Sequence, residues 1–186
     1  MSETKKDFLT FRLGKEEYAV EILRVQEIRG WETPSPLPNV PKFVKGVVDL
    51  RGSVVPILDL REKFHLNVSY DATTVVIVVH VFTSQGERVV GLVVDAVSDV
   101  QQFDMASLQP APDVATSIEN QFILGLTTLV EEADKNQNEA GTHDQQGRVT
   151  GKGSMVILID IDKLASDGLI EQVANAQNHN MPTGNG

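Results

Sequence analysis

The sequence predicts an all-β fold, a barrel or a sandwich, with one helix near its C-terminal end. Short segments rich in Val, Ile and Leu are separated by turn residues at intervals of about ten residues. The connections are too short to contain the helices that a parallel α/β sheet requires. No internal repeat is obvious, and residues 8–173 are expected to form the folded part of the chain.

The first hairpin is predicted over residues 8–22. Alternate residues from Leu9 to Leu13 are apolar and share one face of a strand, and Phe8 is the one break in this pattern. Gly14 begins a tight turn, and apolar side chains alternate again from Tyr18 to Ile22. This spacing is typical of two antiparallel strands.

A proline-rich loop and a second hairpin are predicted next. Residues 25–30 continue extended or turn briefly helical, and four prolines between positions 34 and 41 exclude a helix interior and a central strand there. The second hairpin covers residues 46–58, with its turn at Arg51-Gly52-Ser53. Asp59 follows at the position of a cap for about one helical turn.

The second half of the chain combines further strands with two polar segments. Strands are predicted at 73–81, 88–94 and 96–103, apolar segments at 121–130 and 154–159, and a helix to about residue 176. Residues 131–152 contain only three apolar side chains, too few to offset the entropy of ordering, which predicts a mobile polar insertion. Residues 174–186 are predicted to be a disordered tail.

Composition argues against several classes of protein. The net charge of −10 disfavours binding to nucleic acid or to an anionic membrane surface, and with it an RNA-binding barrel. The absence of cysteine excludes disulfides, thiolate metal sites and a thiol nucleophile. The apolar runs are too short for a signal peptide or a membrane span. These features indicate a cytoplasmic protein.

The sequence carries no motif that fixes a nucleophile, a metal or a cofactor. Residues 147–154 resemble a phosphate loop, but one spacer residue is missing and Gly153 stands where the hydroxyl is required. The four histidines are scattered and never four positions apart. Asp95 and Asp99 leave open a small acidic hydrolase, although solvated surface carboxylates explain them as well. No metal and no cofactor are expected.

One run of residues resembles the signature of a known family. In residues 43–60 a glycine precedes a short strand, Leu50-Arg51-Gly52 forms a turn, and a second strand ends in Pro56-Ile57-Leu58-Asp59-Leu60. This pattern is similar to that of CheW, the chemotaxis coupling protein. Further segments resemble the family in the same order: 16–18, 25–30, 74–78, 88–100, 109–112, 122–126 and 155–164. The resemblance spans about residues 8–173, and the insertion at 131–152 departs from it.

The resemblance implies a fold of two packed SH3-like five-stranded β-barrels with a C-terminal helix. The first barrel is expected at roughly 8–70 and the second at roughly 71–160, with a possible exchange of terminal segments between them. It also implies a non-enzymatic adaptor that couples chemoreceptors to the histidine kinase CheA in bacterial chemotaxis. The partners would be the regulatory domain of CheA and the cytoplasmic tip of a methyl-accepting chemoreceptor, with the adaptor recruited from the cytoplasm to membrane-associated receptor clusters. Another SH3-like protein-binding barrel is the alternative.

The resemblance places the receptor-binding residues in a groove between the barrels. Its members would be Val25, Glu27, Ile28, Arg51, Val90, Gly91 and Val93, the last three forming the opposite wall, while the kinase-binding surface stays unassigned. The valines and Ile28 could instead be plain core, and Arg51 a surface ion pair. Glu27 is harder to explain by packing, because a buried charge is costly unless it is paired.

Overall fold

The structure is a computed structural model and describes residues 4–110, 120–129 and 154–166. The predicted insertion at 131–152 and the predicted tail at 174–186 lie outside the described residues. In chain order the elements are β1 (Lys5–Leu13), β2 (Glu16–Glu21), β3 (Val25–Gly30), β4 (Val44–Leu50), β5 (Ser53–Asp59), α1 (Leu60–Lys63), β6 (Val75–Thr83), β7 (Gly86–Val94), β8 (Ala96–Asp104), β9 (Ile123–Leu129), β10 (Ser154–Ile159) and α2 (Ile161–Ser166). The predicted C-terminal helix is described as far as Ser166.

The strands form two five-stranded sheets, here called barrel I and barrel II, and the predicted all-β fold is confirmed. Barrel I has the strand order β8-β1-β2-β10-β9, and barrel II has the order β3-β6-β7-β5-β4. Each contains one parallel pair, β2 with β10 and β5 with β7, while its other pairs are antiparallel. One short helix follows β5 and the other follows β10.

The sequence analysis placed the boundary between the barrels near residue 70, but the chain is not divided there. Barrel II is the continuous stretch 25–94, and barrel I is built from the strands on either side of it. The reason is the three-residue turn Ile22–Arg24 between β2 and β3. So short a connection cannot return the chain to the start of a strand parallel to β2 in the same sheet. The position beside β1 is filled by β8 and the position beside β2 by β10, so the first and last described strands share one barrel.

The two barrels repeat one arrangement of strands in permuted chain order. An antiparallel hairpin, β1-β2 or β6-β7, pairs on one side with an edge strand, β8 or β3, and on the other with a parallel strand, β10 or β5. An aspartate stands between the parallel strand and the helix, Asp59 at the end of β5 and Asp160 directly after β10. Each accepts a backbone N–H bond from the first helical turn. The repeat that the sequence analysis did not find is therefore present in the topology.

The largest apolar core lies between the barrels rather than inside either one. Side chains of β1, β2 and β10 meet side chains of β6 and β7 there, among them Leu9, Phe11, Tyr18, Ile77, Val79, Leu92 and Ile157. Smaller cores fill the interior of each barrel. The central hairpins are thus buried on two faces. Phe8 breaks the alternation because it faces the interior of barrel I, where its ring lies 5.8 Å from that of Phe103.

Candidate functional site

The predicted receptor-facing residues Val25, Glu27 and Ile28 lie on β3, an edge strand of barrel II. Val25 is partly buried against the shared core, whereas Ile28 is 45% exposed. The pairing of β3 with β6 is irregular between Val25 and Glu27, so one residue of β3 is left over there. A bulge of this kind bends the strand and changes the direction of a side chain. The edge therefore presents an apolar side chain beside a carboxylate.

Arg51 completes the group from the tip of the β4-β5 hairpin. It has φ 53° and is followed by Gly52 with φ 87°, so both central residues of the two-residue turn are left-handed. This conformation matches the twist of the strands. Arg51 Nη2 lies 2.8 Å from Glu27 Oε2. The structure thus brings together four of the residues that the sequence analysis assigned to the groove.

The ion pair between Glu27 and Arg51 is unequally shielded. The Arg51 side chain is 74% exposed, and the Glu27 side chain is 24% exposed. Glu27 Oε1 is shielded from solvent and has no hydrogen-bond partner among the described residues. Leaving a carboxylate oxygen unsatisfied costs free energy, so this pair is held by one hydrogen bond and is open to rearrangement.

Val90, Gly91 and Val93 do not form an exposed wall, and their assignment to the groove is corrected. Val90 is 1% exposed and packs in the shared core, and Val93 is fully buried inside barrel II. Gly91 is buried between Ile57 and Val76. Residues 90–94 of β7 are sandwiched between two cores, so both faces of this part of the strand are interior and neither is available to a partner.

Gly91→Ala is expected to lower the free energy of unfolding by about 1–3 kcal/mol because it overpacks the core. An added Cβ would lie 2.6 Å from Ile57 Cδ1 and 2.8 Å from Val76 Cγ1. Urea denaturation followed by circular dichroism measures the effect. Gly30→Ala is the matched control, since its Cβ would meet no atom within 4 Å. Loss of partner binding at unchanged stability would instead return Gly91 to the site.

The edge strand of barrel I carries residues of the same chemistry, which the sequence analysis missed. Val97, Asp99 and Val100 on β8 occupy the places that Val25, Glu27 and Ile28 occupy on β3. Val97 pairs with Phe11 and Val25 with Val79, which are equivalent positions of the two hairpins. The register of β8 also shifts at this point, and Val100 is 49% exposed. The similarity is visible in the sequence, since residues 25–28 read Val-Gln-Glu-Ile and residues 97–100 read Val-Ser-Asp-Val.

The carboxylates that suggested a hydrolase are used differently. Asp95 Oδ1 lies 3.0 Å from Arg61 Nη1, and Asp95 Oδ2 accepts a hydrogen bond from the Gly14 N–H at 2.7 Å. Asp95 therefore joins the helix α1 to the turn that follows β1. Within residues 4–110, 120–129 and 154–166, no group of His, Asp and Glu side chains could hold a metal ion. In the same ranges, no helix has the length and apolar character needed to span a bilayer.

The fold consists of two packed SH3-like barrels, and their edges present exposed apolar side chains beside an ion pair. These features are typical of a protein-binding adaptor. Residues 7–168 match the model of the CheW-like domain. The chain is 42% identical over 175 residues to the chemotaxis protein CheW of Klebsiella aerogenes, covering 92% of this chain and 90% of that one. It is 39% identical over 124 residues to the CheW of Rhizobium meliloti, covering 67% and 78%.

A solved structure agrees with these relatives. The crystal structure of the scaffolding protein TtCheW from Thermoanaerobacter tengcongensis is similar with a TM-score of 0.63 and 26% identity, over 84% of each chain. The chain belongs to the CheW family. It is accordingly a scaffold or adaptor protein of chemotaxis and not an enzyme, and the hydrolase alternative is not favoured.

Proposed function

We propose that this protein couples the cytoplasmic tip of chemoreceptors to the regulatory domain of the histidine kinase CheA. Such an adaptor binds two partners at once and raises the local concentration of one near the other. It works in the cytoplasm and is recruited to membrane-associated receptor clusters. The observation that carries the proposal is the pair of edge strands with matching apolar and acidic residues, one on each barrel.

The receptor-binding surface is assigned to the edge strand β3, and β8 offers a second edge of the same kind on the other barrel. Ile28 and Val100 are each about half exposed, and each stands next to an acidic residue on the outermost strand of its described sheet. A helical hairpin offers apolar side chains at regular spacing along its surface, and such side chains dock against apolar residues of a groove. Glu27 and Asp99 would select basic or amide groups at the rim of that contact.

The ion pair between Glu27 and Arg51 supplies the specificity of the β3 side. Because Glu27 Oε1 lacks a partner in the free protein, an incoming donor that reorganises the pair would satisfy an oxygen that is otherwise unpaired. Most of the Arg51 side chain is in solvent, so an incoming group can reach its guanidinium. The pair is thus suited to binding more than to stability.

Glu27→Lys and Arg51→Glu are each expected to weaken binding of a chemoreceptor cytoplasmic fragment by about tenfold or more, because like charges then face each other at the contact. The melting temperature is expected to change by less than about 4 °C, since exposed ion pairs contribute little to stability. Isothermal titration calorimetry and thermal unfolding measure the two effects.

Arg12→Glu is the matched control for this prediction. Arg12 forms a similar surface ion pair with Glu17, at 3.5 Å, but within one hairpin of barrel I. Its reversal is expected to leave receptor binding unchanged. If Glu27→Lys or Arg51→Glu unfolds the protein, the pair is structural and its assignment to the receptor site is wrong.

The proposal of two partners is tested with purified components. A receptor fragment and a kinase regulatory domain are each passed over the immobilised protein, first separately and then together. Simultaneous retention of both is expected. Competition between them, or retention of neither, would contradict the adaptor function proposed here.

A further inference from the structure

Between the described strands, the chain passes from one barrel to the other at two places, and each passage carries one charged residue in an ion pair. The first passage is the turn Ile22–Arg24 between β2 and β3, and the second is Asp95 between β7 and β8. Each of the remaining connections joins two strands of one barrel. Contacts at these two places therefore act directly on the orientation of the barrels.

At the first passage, Arg24 binds Asp162 of α2 through two parallel bonds, Nη1–Oδ1 at 2.9 Å and Nη2–Oδ2 at 2.6 Å. The guanidinium also lies 4.3 Å from the centre of the Phe82 ring and donates to the His80 carbonyl at 3.3 Å. The Phe82 N–H donates to Asp162 Oδ1 at 2.8 Å. The helix α2 follows β10 of barrel I directly and packs against β6 of barrel II, so these contacts, called clamp A, link the end of barrel I to barrel II.

At the second passage, the Asp95 carboxylate accepts one hydrogen bond from a residue of each barrel. Oδ1 accepts from Arg61 of barrel II at 3.0 Å, and Oδ2 accepts from the Gly14 N–H of barrel I at 2.7 Å. The Asp95 N–H donates to the Arg12 carbonyl at 3.1 Å. These contacts are called clamp B. Arg61 is fully buried, so clamp B is anchored in the interior of barrel II.

The clamps occupy equivalent places with opposite polarity. Arg61 and Asp162 are each the second residue of a short helix. In clamp A the arginine, Arg24, lies in the passage and the carboxylate lies in the helix. In clamp B the carboxylate, Asp95, lies in the passage and the arginine lies in the helix. The carboxylate of clamp A accepts the N–H of Phe82, near the end of β6, and the carboxylate of clamp B accepts the N–H of Gly14, directly after β1. Two directional contacts thus hold the barrels at two separate points.

We propose that clamps A and B set the angle between the barrels and, with it, the spacing of the edge strands β3 and β8. The shared apolar core keeps the barrels together, but apolar burial has no direction. Paired hydrogen bonds between guanidinium and carboxylate are directional. β3 begins directly after Arg24, and β8 begins directly after Asp95. Each clamp therefore holds the residue that immediately precedes one edge strand.

The spacing is measured by pulsed electron paramagnetic resonance between spin labels at Gln26→Cys on β3 and Gln102→Cys on β8. Both positions are exposed, and the natural chain has no cysteine that would take up label. With Arg24→Gln and Asp162→Asn together, clamp A loses its charges without leaving one unpaired. The distance distribution is expected to broaden or shift, while circular dichroism shows that the fold is retained.

Lys6→Gln with Glu21→Gln is the matched control, because this pair, 3.7 Å apart, lies within the β1-β2 hairpin. Its distribution is expected to equal that of the parent. An unchanged distribution in the folded clamp A variant would overturn the proposal. If that variant does not fold, Asp162→Asn alone takes its place, and an unchanged distribution there overturns the proposal equally.

A consequence for binding rests on the proposed function. The clamp A variant is expected to bind the receptor fragment about tenfold more weakly, with unchanged affinity for the kinase regulatory domain. Unchanged receptor affinity despite a broadened distribution would disprove the link between barrel angle and receptor binding. Failure of the parent protein to bind the receptor fragment would contradict the proposed function alone, since the distance measurement uses no partner.

Discussion

Arg61→Met is expected to lower the free energy of unfolding by about 3–5 kcal/mol, because it leaves Asp59 as an uncompensated buried charge. Both side chains are fully buried, and Arg61 binds Asp59 through Nε–Oδ1 and Nη2–Oδ2 at 2.9 Å each. Burial alone would lower the pKa of Arg61, but its hydrogen bonds to Asp59 and Asp95 outweigh this and raise it. The guanidinium is therefore charged at any pH at which the protein folds.

Urea denaturation followed by circular dichroism measures this loss. Arg88→Met is the control, since Arg88 is exposed, and it is expected to change stability by less than about 0.5 kcal/mol. Removing both charges with Asp59→Leu and Arg61→Met is expected to cost less than Arg61→Met alone, because no buried charge then lacks a partner. A loss below about 1 kcal/mol for Arg61→Met would show that solvent reaches Asp59.

Gly46→Ala is expected to destabilise the protein by about 3 kcal/mol or more, combining a clash with an unfavourable backbone conformation. Gly46 has φ 136°, and an added Cβ would lie 2.0 Å from the Ser35 carbonyl oxygen. That oxygen accepts the Val47 N–H at 2.8 Å, and the Ser35 N–H donates to the Val47 carbonyl at 2.9 Å. The substitution thus pushes the proline-rich loop off β4.

Fluorescence reports this displacement directly. Trp31 is the single tryptophan of the chain, lies at the start of the loop, and stacks on Tyr70 with ring centres 4.3 Å apart. A shift of its emission is expected in Gly46→Ala and not in the surface control Arg88→Met, since the Arg88 side chain is exposed. Native emission together with native stability in Gly46→Ala would mean that the loop moves aside without cost.

Local patterns predicted most of the strands, because each hairpin shows its own alternation and its own turn residues. The Arg51-Gly52 turn and the Asp59 cap lie where the sequence placed them. The order of strands within the sheets was not predictable in the same way. The order depends on the direction that the chain takes after the three-residue turn Ile22–Arg24. Alternation of apolar residues within a strand does not show which strand lies beside it.

The candidate site was predicted in part. Glu27 and Arg51 are far apart in sequence, and only the resemblance brought them together before the structure did. Val90, Gly91 and Val93 were wrongly assigned because the run from Val89 to Val94 has no polar alternation. A continuous apolar run is typical of a strand buried on two faces. Val97, Asp99 and Val100 were missed because the repeat conserves chemistry and not identity.

The permuted relation of the barrels has a consequence for the ends of the chain. In barrel II the helix α1 leads into β6 through residues 64–74, and in barrel I the equivalent elements are α2 and β1, which are the last described helix and the first strand. Because these elements are equivalent, a linker of similar length between Ser166 and Lys5 is expected to join α2 to β1 as residues 64–74 join α1 to β6. New ends opened within residues 64–74 would give a circularly rearranged protein with every strand in its place.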